Sequence, residues 1–109
     1  MKKILWTKDA EESFNEILEY LMEKSGESIT QKIYDKIITK IDLLASISFK
    51  SKLSQDLKDI GINDVHELTE SPWRIFYKTR KDEIIILLIL DGRRNIEEIL
   101  ISKVIDNKI

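Results

Sequence analysis

The chain has 109 residues, 42% hydrophobic and 35% charged, with a net charge of −2 and no cysteine. That length predicts one domain over residues 1–109, with enough apolar residues to build a core unaided. No disulfide or thiolate metal site is possible, a single histidine argues against zinc, and the negative balance argues against nucleic-acid binding by the whole surface.

The opening MKKILWTKDA has two lysines but no long apolar run behind them, which is not the pattern of a secretory signal. The longest apolar run, Ile84 to Leu90, is far too short to cross a bilayer. A cytoplasmic protein is expected. Lys3 to Trp6 is a candidate strand, and Thr7 is a candidate helix N-cap with Asp9, Glu11 and Glu12 behind it. Ala10, Phe14, Ile17, Leu18 and Leu21 fall on one helical face, and Gly26 ends the helix. Ser28 with Gln31 fits a capping box for a second helix, whose stripe is Ile33, Ile37, Ile41 and Leu44. So short a connection predicts an antiparallel helical hairpin.

Ser46 to Asp64 has no clear period and reads as a loop with at most one helical turn, anchored by Leu53, Leu57 and Ile60. Val65 to Thr69 reads as a strand, broken by Ser71-Pro72. Trp73 to Lys78 alternates, with Trp73, Ile75 and Tyr77 on one face and Arg74, Phe76 and Lys78 on the other. Glu83 to Leu90 is apolar on both faces, as a covered central strand would be. Asn95 offers an N-cap to a short last helix with Glu97 and Glu98 in its first turn. The fold class predicted is α+β: an N-terminal strand, an α-helical hairpin on one face of an antiparallel β-sheet, and a short C-terminal helix. The other face, or its rim, is left for a site.

Charge is uneven. Residues 1–71 carry 10 basic and 14 acidic residues, whereas residues 72–94 carry 6 basic and 3 acidic, so positive charge collects on the last hairpin. Leu68-Thr69-Glu70-Ser71-Pro72-Trp73-Arg74-Ile75-Phe76-Tyr77 and Asp91-Gly92-Arg93-Arg94-Asn95 resemble segments of the RelE/ParE superfamily of type II toxin–antitoxin toxins. Trp6, Ala10, Ile17 and Tyr20 are similar to residues of that family's first helix. The resemblance implies a growth inhibitor neutralised by a cognate antitoxin, whose disordered tail covers exposed apolar grooves. It further implies one of two targets: mRNA in the ribosome, cut by RelE-like members, or DNA gyrase, poisoned by ParE-like ones. No cofactor is implied.

Cleaving RNA needs a base, an acid and a cation for the developing charge. Arg74 and Arg94 match the family's arginine positions, and His66 is a possible base. Leu100 stands where a late tyrosine is usual, and Glu67 where a lysine is. These departures favour the gyrase-binding branch. Target-binding residues are then Arg74, Arg93 and Arg94, and Tyr34 with Ile38 is a candidate antitoxin-binding patch. The alternatives are a ribosome-dependent endonuclease using Arg74, Arg94 and His66, and a non-toxic binding remnant. For Arg74 an ion pair with Glu67 or Glu70 competes with a functional role, and for Arg93 and Arg94 a solvated strand cap does.

Overall fold

A computed structural model describes residues 2–46 and 52–109. Part of the stretch read as a loop, residues 47–51, lies outside the described residues. The architecture is α+β. Strand β1 (Lys3–Trp6) leads into a long helical segment α1 (Lys8–Asp42), followed by a 3-10 turn (Leu43–Ala45) and the single-turn helix α2 (Gln55–Lys58). Strands β2 (His66–Glu70), β3 (Trp73–Arg80) and β4 (Glu83–Asp91) and helix α3 (Ile96–Ile105) complete the order.

The helical segment is two arms rather than one rod. Gly26 alone is non-helical, at φ 83 and ψ 176. The rings of Phe14 and Tyr34 stack at 5.6 Å, whereas an unbroken helix would separate these positions by about 30 Å. The expected hairpin therefore forms, with its bend in one residue. Ser28 lies inside the second arm, not ahead of it, so the capping box is not the start of that arm. The positive φ of Gly26 turns the chain without further residues, and the Thr30 hydroxyl donates to the Gly26 carbonyl at 2.8 Å. At the other end Thr7 is the N-cap, its hydroxyl accepting from the Ala10 N–H at 3.0 Å.

The sheet order is β1-β4-β3-β2. β2, β3 and β4 form the antiparallel meander, and β1 pairs in parallel with β4, so the sheet is mixed. Register shifts at Phe76/Tyr77, where Tyr77 opposes Ile86 and Phe76 opposes Leu88, leaving Leu87 as the extra residue. That bulge changes the phase of β4. Ile84, Ile86 and Ile89 all reach the core under the helical hairpin, with Phe14, Ile37, Ile41, Trp73 and Tyr77. Leu88 and Leu90 reach a second core on the opposite face, with Leu57, Val65, Phe76, Ile96 and Leu100. The second face is therefore covered by α2 and α3 and is not open to a site. What remains is the rim and the flanks of the hairpin. No helix among the described residues is long and apolar enough to cross a membrane.

Candidate functional site

The rim is built where β3 begins and β4 ends. Trp73 pairs with Asp91 in register, and the Gly92 N–H donates to the Pro72 carbonyl at 2.7 Å. A Cβ on Gly92 would stand 2.7 Å from that carbonyl oxygen and 3.1 Å from Cδ of Arg74. Glycine is required there for close approach, and Arg93 and Arg94 follow it at exposed positions. Asp91 fixes the first of them. Its carboxylate accepts from the Arg93 backbone N–H at 2.9 Å, from Nε at 2.9 Å and from Nη2 at 2.7 Å. The side-chain hydrogen bond from Arg93 holds the Asp91 carboxyl below the usual carboxylate range, although partial burial works the other way. The guanidinium of Arg93 stands 6.0 Å from the centre of the Trp73 ring. Arg94 also lowers the pKa of Asp91, through its charge alone and as a weaker cause than Arg93.

Both arginines line a cleft of ≈ 560 Å³ between the first arm of α1 and the end of β4. Ser13, Glu16, Ile17 and Tyr20 form its helical wall, and Trp73, Ile89, Leu90 and Asp91 line its sheet side. Ser13 is not a spare nucleophile: its hydroxyl donates to the Ala10 carbonyl and accepts from the Ile89 N–H, both at 3.0 Å.

Arg74 is elsewhere. Strand alternation places it on the face opposite Trp73, where Nε and Nη2 hold both oxygens of Glu67 at 2.8 and 2.7 Å. Asp56, carried there by α2, bonds the same Nη2. Its guanidinium also lies 5.4 Å from the centre of the Phe76 ring. The hydrogen bonding of its guanidinium to Glu67 is the main cause raising the pKa of Arg74, and burial opposes it. Asp56 carried no signal in the sequence, because the aperiodic loop gives no hint of what its short helix faces.

His66 shares the hairpin-side face with Leu68 and stacks on Tyr77, ring centres 5.3 Å apart. Burial lowers its pKa, with Asp64 pulling it up and Lys2 pushing it down. His66, Arg74 and Arg94 thus sit on one face, the other face and the rim, and do not converge. Tyr34 and Ile38 do share a surface. With Trp6, Glu11, Phe14, Asn15 and Leu18 they line a shallow groove of ≈ 420 Å³ on the opposite flank of the first arm. No group of three or more His, Cys, Asp or Glu side chains able to hold a metal occurs among the described residues.

A family model described as ParE toxin of type II toxin-antitoxin system, parDE, matches residues 4–96. The fold is similar to a solved chain from the "Chromosomal ParDE TA system from P. aeruginosa", with a TM-score of 0.67 and 22% identity, over 82% of this chain and 94% of that one. No curated protein matches the sequence significantly.

Proposed function

The chain belongs to the ParE toxin family of type II toxin–antitoxin systems, and from that premise we propose that it is a growth inhibitor that binds and poisons DNA gyrase. A cognate antitoxin would neutralise it, and both would meet in the cytoplasm. The observation that carries the choice of target is the separation of His66, Arg74 and Arg94. Phosphodiester cleavage needs base, acid and cation around one phosphate, and Arg74 already commits its fork to Glu67. Binding needs only a rigid, accessible surface, which Arg93 and Arg94 provide at the end of a buried strand. Arg74 supports that surface by packing its stem against Gly92. The groove at Tyr34 and Ile38 offers the antitoxin an apolar, half-exposed strip.

The test is a supercoiling and cleavage-complex assay with purified gyrase, run beside Arg94→Ala. The wild-type chain should inhibit supercoiling and accumulate cleaved DNA, and the exposed Arg94→Ala variant should fold normally but do neither. Unchanged supercoiling with wild-type protein rejects gyrase as the target. Codon-phased cuts in mRNA on programmed ribosomes would identify an endonuclease instead, and normal growth on induction a non-toxic remnant.

A further inference from the structure

Helix α3 is short, and it lies almost wholly past residues 4–96, the stretch that the family model matches. At 10 residues it is below the length that holds by itself in water. Its buried residues, Ile96 and Leu100, are both in its first half. In the second half Val104 packs only partly on the second core, and Ile105 is 74% exposed. That half is instead tied to α1. Nζ of Lys103 donates to Oδ2 of Asp9 at 3.3 Å, and Nζ of Lys108 stands 3.8 Å from Oδ1 of the same carboxylate. The Asp9 side chain is only 12% exposed, so water screens these pairs less than it screens a surface pair. Asp9 is itself held in place. β1 pairs with β4 only as far as Ile86, and beyond it the first turns of α1 take over the edge of β4. The Thr7 hydroxyl donates to the Leu87 carbonyl at 3.2 Å, and the Ser13 hydroxyl accepts from the Ile89 N–H at 3.0 Å.

Arg94 stands where this tie is felt. It precedes the Asn95 cap, whose Oδ1 accepts from the Glu98 N–H at 3.3 Å. It lines the cleft on one side, and on the other a groove along α3 that Glu98, Ser102 and Lys103 also line. One wall beside Arg94 is therefore α3 itself, and a helix pinned only at Ile96 and Leu100 would be free to swing. We propose that Asp9 is a positioning residue: by holding Lys103 and Lys108 it seats α3 and thereby fixes the direction of Arg94. The seating of α3 does not depend on what Arg94 binds. Its bearing on toxicity rests on the function proposed above, in which Arg94 meets the target. In the sequence Asp9 reads as a first-turn acid that suits the helix dipole, a local signal that hides a partner 94 residues away.

The full chain is compared with its Asp9→Asn, Asp9→Glu and Lys103→Met variants. Lys103→Met breaks the closer pair from the α3 side and leaves the first turn of α1 intact, which separates the clasp from any weakening of α1. Asp9→Asn and Lys103→Met should each speed amide exchange at Val104 and Ile105 roughly three- to tenfold. Both should shift and broaden the NMR signal of the Arg94 Nε–H while the amides of β3 stay unchanged. Asp9→Glu keeps the charge and should restore most of the wild-type behaviour. Inhibition of gyrase supercoiling should weaken roughly three- to tenfold with Asp9→Asn and recover with Asp9→Glu. Unchanged exchange in α3, or faster exchange with an Arg94 signal identical to wild type, overturns the proposal. A displaced Arg94 signal with undiminished inhibition upholds the positioning and counts instead against Arg94 as the target contact. Wild-type protein that leaves gyrase unaffected rejects the function proposed above, and the exchange and NMR readouts, which contain no gyrase, still decide the role of Asp9.

Discussion

Arg74 on β3 and Glu67 on β2 grip each other diagonally across two strands, Nε to Oε2 at 2.8 Å and Nη2 to Oε1 at 2.7 Å. Both side chains are mostly enclosed, 22% and 15% exposed, and Asp56 reaches the same guanidinium from α2. Removing the cation leaves two carboxylates facing each other without compensation. Arg74→Ala should cost about 1–3 kcal/mol in urea unfolding, and Arg74→Lys should recover only part of it, because an ammonium cannot bridge both oxygens of Glu67. Growth arrest measured with Arg74→Lys at a temperature where it stays folded separates a stability role from a target contact.

Two glycines should fail for different reasons. A Cβ added at Gly26 would meet nothing within 4 Å, but the residue holds φ at +83, so Gly26→Ala should lose about 1–3 kcal/mol through backbone strain alone. Gly92 has no such backbone demand, but its Cβ would strike the Pro72 carbonyl. Gly92→Ala should cost about 1–3 kcal/mol by overpacking and should also disturb the NMR signals of Arg74 and Arg93. Thermal unfolding of both variants checks the pair. Equal spectra at the rim for wild type and Gly92→Ala would show that the close approach is not needed.

Stability should fall on mild acidification because of His66. Burial lowers its folded pKa below the ordinary 6.5, so the unfolded chain binds the proton more tightly. The stabilisation is fully present above that ordinary value and is lost as pH drops below it toward the folded value. His66→Phe keeps an aromatic ring against Tyr77 without a titrating group. Denaturant midpoints measured from about pH 7.5 to about pH 5 should slope less for the variant than for wild type.

Asp91 sets a second, more acidic window. Its folded pKa is depressed chiefly by the hydrogen bond from Arg93. Its contribution is therefore present above the ordinary value of 3.8 and disappears as pH falls through the lower folded value. Asp91→Asn should remove that acid dependence and release the Arg93 side chain. The NMR signal of the Arg93 Nε–H reports the release directly, and an unchanged, sharp signal in the variant would contradict it.

The helical hairpin and the three-stranded meander were legible because their signals are local. Ala10, Phe14, Ile17 and Leu21 repeat at helical spacing, Gly26 interrupts them, and Trp73, Ile75 and Tyr77 alternate. The partner of β1 was not legible, since a parallel pairing between Lys3–Trp6 and β4 leaves no mark on either segment. Nor was the covering of the second face, which depends on a four-residue helix placing Leu57 and on α3 placing Ile96 and Leu100. The glycine and arginines of the rim stood out by type and order. Glu16 and Tyr20 did not stand out as cleft residues, because on a helix they look like any solvated positions until β4 is seen beside them.

The pairing of β1 with β4 also bears on synthesis. Lys3 waits for Glu83 and Trp6 for Ile86, and the Thr7 hydroxyl that starts the first helix also donates to the carbonyls of Ile86 and Leu87. A nascent chain that has not yet delivered β4 beyond the ribosome has an N-terminal strand with no neighbour and a helical hairpin with little to lie on. Products truncated before β4 should therefore fail to fold and be quickly degraded.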